Sequence, residues 1–95
     1  MDDRIPVDPD TLRTWMVDYI TSVLDLPPET VLPGLKFNEY GLDSVEAVVM
    51  AGVLEEEFGV PVDPILLFEH PSIDEFVQAR ATPGGAAMTV APDPA

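Results

Sequence analysis

Apolar side chains at Leu12, Trp15, Met16, Tyr19, Ile20, Val23 and Leu24 recur every three or four residues, which aligns them on one face of a helix. Asp8 is placed to cap that helix with Pro9 at its first position, where a missing N–H costs nothing, and Pro27-Pro28 is expected to stop it. A second helix is predicted from Ser44 to Phe58, ending at Gly59, a residue suited to a left-handed terminus. Its wheel has two apolar sides: Ala47, Ala51, Leu54 and Phe58 on one, and Val45, Val49 and Val53 on the other. A short third helix is expected after Asp63-Pro64. A fourth starts in "HPSIDEF", where Ser72 and Glu75 have capping-box spacing and Ile73, Phe76 and Val77 form an apolar face. The expected fold is all-α: three helices, one extra turn and no strand.

The connection from Asp25 to Asp43 is long for a compact domain, so it must have packing of its own. Val31, Leu32, Leu35, Phe37, Tyr40 and Leu42 are too many apolar groups to leave in water, and the loop is expected to lie across the helices. The flanks look different. Residues 1–9 read as a flexible lead and residues 82–95, rich in Gly, Ala and Pro, as a flexible tail or linker, leaving residues 10–81 as one helical domain.

Composition narrows the function. A chain of 95 residues builds one small core and no deep enclosed cleft. Four basic residues, Arg4, Arg13, Lys36 and Arg80, stand against eighteen acidic ones, for a net charge of -14. Scattered cations on so acidic a chain argue against nucleic acid; the acidic charge either only keeps a small domain soluble or suits partners with basic surfaces. The absence of cysteine excludes disulfides and thiolate metal sites and suits a reducing compartment. With no signal-peptide pattern and no apolar run of membrane-spanning length, the expectation is a cytoplasmic monomer that does not enter a membrane.

Ser44 is one of only three serines and follows Asp43 at the start of the second helix, in "EYGLDSVEAV". Read from those two residues alone, it is a helix cap. The same geometry also exposes a hydroxyl where the helix dipole favours a phosphodiester. Catalysis by Ser44 itself is a poor reading, because "GLDSV" is not a nucleophile elbow and His70, read as structural, is the chain's one histidine.

"YGLDSVEAV", then "LEEEFGV", then "LLFEHPSIDEF" together resemble an acyl carrier protein, with the fit running from about Thr11 to Arg80. That resemblance implies a small helical bundle in which Ser44 receives 4'-phosphopantetheine from coenzyme A. By the same resemblance a separate phosphopantetheinyl transferase would add the group, and Asp43 would help it position its metal and the serine. Leu42 and Val45 flank the attachment point. The arm would supply the thiol that a cysteine-free chain lacks, holding acyl intermediates as thioesters while partner enzymes do the catalysis. Within the family, "GLDS" and "FEHPS" are more similar to polyketide-synthase carriers than to fatty-acid carriers. Peptidyl carriers are the runner-up, though they usually place a glycine where Leu42 stands.

Two positions depart from the family pattern. Val45 replaces a larger residue after the serine, and Val49 stands where a glutamate is common. The expected partner surface is therefore Val49 and Val53 rimmed by Glu46, Glu56 and Glu57, docking acyltransferase or ketosynthase-type enzymes with basic surfaces. The competing view buries those valines under the loop or third helix. Gly52, in the same helix, costs about 1 kcal/mol relative to alanine; neutral drift is the plain explanation, and close approach of an arm or partner is the functional one. A rival from another class, an unmodified acidic adaptor, accounts for the charge but not for a long loop that delivers a lone serine.

Overall fold

A computed structural model describes residues 4–82, and the expected tail beyond Thr82 and the first three residues of the lead lie outside them. The first helix, α1, spans Pro9–Leu24. Asp8 caps it by accepting the Thr11 N–H at 3.1 Å and the Thr11 hydroxyl at 2.6 Å. Those bonds, the hydroxyl one first, hold the Asp8 carboxyl below its ordinary value. The stop differs from expectation. Asp25 turns left-handed at φ 56° and donates its N–H to the Thr21 carbonyl, so α1 ends before Pro27-Pro28 is reached.

Helix α2 spans Ser44–Phe58, α3 Ile65–Glu69 and α4 Ile73–Arg80. Ser72 Oγ accepts the Glu75 N–H at 3.1 Å and starts α4 as its spacing predicted. Leu12, Met16 and Ile20 of α1 are fully buried in one core with Met50 and Leu54 of α2, Leu67 of α3 and Ile73, Phe76 and Val77 of α4. Each large side chain so buried contributes roughly 1.5 to 3 kcal/mol before chain entropy is set against it. Trp15 stacks on Tyr19 at 5.3 Å and meets Phe58 edge-on at 5.7 Å, locking α1 to the end of α2. On the α4 side, Arg13 joins Asp10 at 2.7 Å and Asp74 at 2.9 Å.

The long connection packs as its apolar content requires. It forms two 3-10 turns, Pro28–Thr30 and Phe37–Tyr40, and buries Val31, Phe37, Tyr40 and Leu42. Leu32 stays exposed, and Leu35 is half-buried. Its far end is hung on the start of α4: the Phe37 N–H donates to Pro71 at 2.8 Å and the Asp74 N–H to Pro33 at 3.0 Å.

The flanks correct the sequence reading. Ile5, expected in a flexible lead, is 1% exposed and pairs in parallel with Ala81. The Ile5 N–H donates to Arg80 at 2.8 Å, Thr82 donates its N–H to Val7 at 2.9 Å, and its hydroxyl bonds Ile5 at 2.7 Å. One isoleucine with a free apolar slot beside α4 outweighs the lack of periodicity around it, and Thr82, assigned to the tail, belongs to the packed body.

Candidate functional site

Gly41, at φ 98°, ends the second 3-10 turn in the left-handed region that favours glycine and directs the chain into Leu42, whose buried side chain anchors the turn to the core. Asp43 follows as the cap of α2, its Oδ1 accepting the Glu46 N–H at 2.9 Å. Ser44 is thus the first helical residue and not the cap, which corrects the simplest sequence reading. Among the described residues, its exposed hydroxyl has no hydrogen-bond partner.

Beside Ser44 opens a cleft of about 240 Å³ between the loop, the start of α2 and α3. Phe37, Leu42, Ala47, Leu67, Phe68 and Pro71 give it apolar walls, and Lys36, Asn38 and Asp43 add polar groups. No histidine lines it; the His70 backbone N–H donates to the Leu66 carbonyl at the end of α3. The other serines are in different settings. Ser72 is buried and occupied as a cap, and Ser22 lies exposed within α1.

The valines of α2 resolve in favour of exposure. Val45 is 68% exposed and Val49 49%, with Glu56 and Glu57 exposed and Glu46 half-buried near them on the helix. Val53 is half-buried, so the stripe does not run to it. A step of eight residues turns roughly 80° around a helix, enough to carry Val53 from the open face toward the core's edge. Val48, 49% exposed, takes its place, and the open face is Val45, Val48, Val49 and Gly52 at i, i+3, i+4, i+7. The Glu46 charge, after burial itself, pushes the nearby Tyr19 hydroxyl above its ordinary value.

Three contributors escaped the sequence. Ile65 and Phe68 of α3 are 53% and 50% exposed, and Lys36 lines the cleft. The i, i+3 spacing of Ile65 and Phe68 around the core residue Leu67 is the signal that an outward apolar edge exists there. For Lys36 no sequence signal exists, because its proximity to Ser44 comes from the folded loop.

Residues 14–79 match the family model described as the phosphopantetheine attachment site. A stretch of a phenolphthiocerol/phthiocerol polyketide synthase subunit of Mycobacterium tuberculosis is 38% identical over 72 residues, 76% of this chain and 4% of that protein. This chain therefore spans a small fraction of such relatives. Among solved structures, the acyl carrier protein LipD of Actinoplanes friuliensis is 41% identical with a TM-score of 0.62, covering 75% of this chain and 79% of that one. A free-standing peptidyl carrier protein of Acinetobacter baumannii is 29% identical with a TM-score of 0.70, covering 76% and 90%. Domains of the matched family are where 4'-phosphopantetheine is covalently attached, and the helical bundle, the exposed hydroxyl and the neighbouring cleft suit such an arm. The chain belongs to this phosphopantetheine-attachment family: it is a carrier-protein domain related to those of polyketide synthases.

Proposed function

We propose that Ser44 bears the 4'-phosphopantetheine and that the domain carries acyl or polyketide intermediates as thioesters between the enzymes of a synthase. The observation that carries this reading is the exposed, unpartnered Ser44 hydroxyl at the mouth of the cleft, left available because Asp43 does the capping. Its Oγ displaces one half of the coenzyme A diphosphate. The Oγ–P bond forms at the pantetheine-side phosphorus, the bridging P–O bond of the diphosphate breaks, adenosine 3',5'-bisphosphate leaves with the bridging oxygen and its electron pair, and the hydroxyl proton passes to the transferase. Asp43, beside the hydroxyl, is the acidic group offered to the transferase's metal. When attached, the arm supplies a thiol to a chain that has none.

Leu42 keeps the attachment turn fixed on the core, and Val45 borders it on the open side. Partner enzymes meet Val45, Val48 and Val49, with Glu46, Glu56 and Glu57 as an acidic rim suited to basic docking surfaces. Val53 contributes from the edge. Intact-mass measurement after incubation with coenzyme A and a broad-specificity phosphopantetheinyl transferase tests the assignment. One addition, lost in Ser44→Ala, is expected; addition at Ser22 or Ser72 overturns it.

The likeness to a peptidyl carrier protein supports a second reading, in which the cargo is an aminoacyl group. Loading by an acyltransferase favours the first, and loading by an adenylating enzyme with an amino acid favours the second.

A further inference from the structure

The four cations of this chain are differently engaged. Arg13 is held between Asp10 and Asp74, and Arg4 donates to the Ala81 carbonyl at 2.8 Å. Arg80 is in the last turn of α4, at the terminal pairing. Lys36 is different: it is the one basic residue lining the Ser44 cleft, and among the described residues it makes no ion pair.

Its backbone is held from two sides. The Lys36 N–H donates to Glu39 Oε1 at 3.0 Å, Lys36 bridges Ser72, and the next residue, Phe37, is bonded to Pro71. Lys36 is exposed, and from that fixed backbone it lines a cleft whose other charged wall is Asp43. A phosphodiester on Ser44 adds a further negative charge beside Asp43 and Glu46, on a chain already at -14. The start of α2 offsets part of that repulsion, and a cation within reach offsets more.

We propose that Lys36 is the counter-ion of the phosphodiester on Ser44, a positioning residue that pairs with the phosphate and holds the base of the arm against the cleft. This inference rests on Ser44 being the attachment residue. Arginine, which can also pair with phosphate, should substitute for lysine, and glutamine should not.

Lys36 is the single lysine, so an amine-reactive ester reports on it cleanly by peptide mass spectrometry. Its labelling rate is compared in the unmodified and phosphopantetheinylated proteins at 0.15 M salt. An ammonium paired about 5 Å from the phosphate must leave that pairing to react, and labelling should slow about threefold. A phosphate more than a Debye length away slows it by less than about a third. The phosphorus NMR resonance of the modified protein should also move in Lys36→Gln and stay in Lys36→Arg.

The two possible failures are distinguishable. No mass addition at Ser44 removes the underlying reading. Addition at Ser44 with an unchanged Lys36 labelling rate, or with the same phosphorus resonance in wild type and Lys36→Gln, overturns the counter-ion.

Discussion

Asp43 Oδ1 accepts the Glu46 N–H at 2.9 Å, so the start of α2 is secured by the residue before Ser44 and not by Ser44. The structural duty falls to Asp43, which leaves Ser44 free for the attachment proposed for it. Ser44→Ala should therefore leave stability within about 0.5 kcal/mol of wild type while abolishing addition of the arm. Asp43→Ala should cost about 1 kcal/mol. Urea midpoints of the two variants check the pair, and a larger loss for Ser44→Ala contradicts the division.

Val49→Glu places a charge on a side chain that is half in water already. The expected thermal midpoint is unchanged, while the set of enzymes that load the carrier is altered. A lowered midpoint with normal loading would mean that the valine face is structural.

Gly52 looks onto open space: a methyl group placed on its Cα would have no atom within 4 Å beyond its chain neighbours and the adjoining backbone of its own helix. Gly52→Ala should raise stability by about 1 kcal/mol, since the helix gains propensity and nothing is displaced. If close approach of a partner needs the notch, loading falls as stability rises. Urea denaturation and a loading assay on one preparation separate the two effects.

Burial pushes the Tyr40 hydroxyl up to about 12, and among the described residues that hydroxyl has no partner. The unfolded chain ionises near 10, so between about 10 and 12 rising pH favours unfolding, and stability falls across that window. Tyr40→Phe should flatten the fall and raise stability at neutral pH by about 1 kcal/mol, because a costly buried hydroxyl is gone. Tyr19, also raised by burial, leaves a residual slope. Denaturant midpoints at neutral and alkaline pH measure both.

Ile5→Ala removes a side chain that is 1% exposed and should cost about 2 to 5 kcal/mol. An unchanged thermal midpoint would return Ile5 to the loose lead that its neighbours suggest.

The helices were legible because each declares itself locally: Asp8-Pro9 and Ser72 at starts, Gly59 at an end, and apolar spacing between them. The packed loop was legible from its apolar content. Ile5 was not, since one isolated isoleucine has no period and its slot is made by α4, far away in sequence. At the site, the attachment block marked Ser44, but the assignment of capping to Asp43 depends on a backbone turn one residue earlier than the residue types imply. The valine face was read with the right start and the wrong end, because a four-residue step drifts around the helix. Lys36 and Phe68 reach the cleft only through tertiary folding.

The Ile5 and Ala81 pairing has a mechanical consequence. Because the two segments run parallel, a pull applied backward at Arg4 and forward at Thr82 acts along the pair from opposite ends. Tension between the ends of the body loads the Ile5–Arg80 and Val7–Thr82 bonds together, in shear, and does not peel them one by one. Pro71, bordering the Ser44 cleft, lies at the opposite end of α4, about 12 Å of helix away. A pull between Arg4 and Thr82 is therefore borne by a clamp at one end of α4, with the end that borders the Ser44 cleft left out of the line of force.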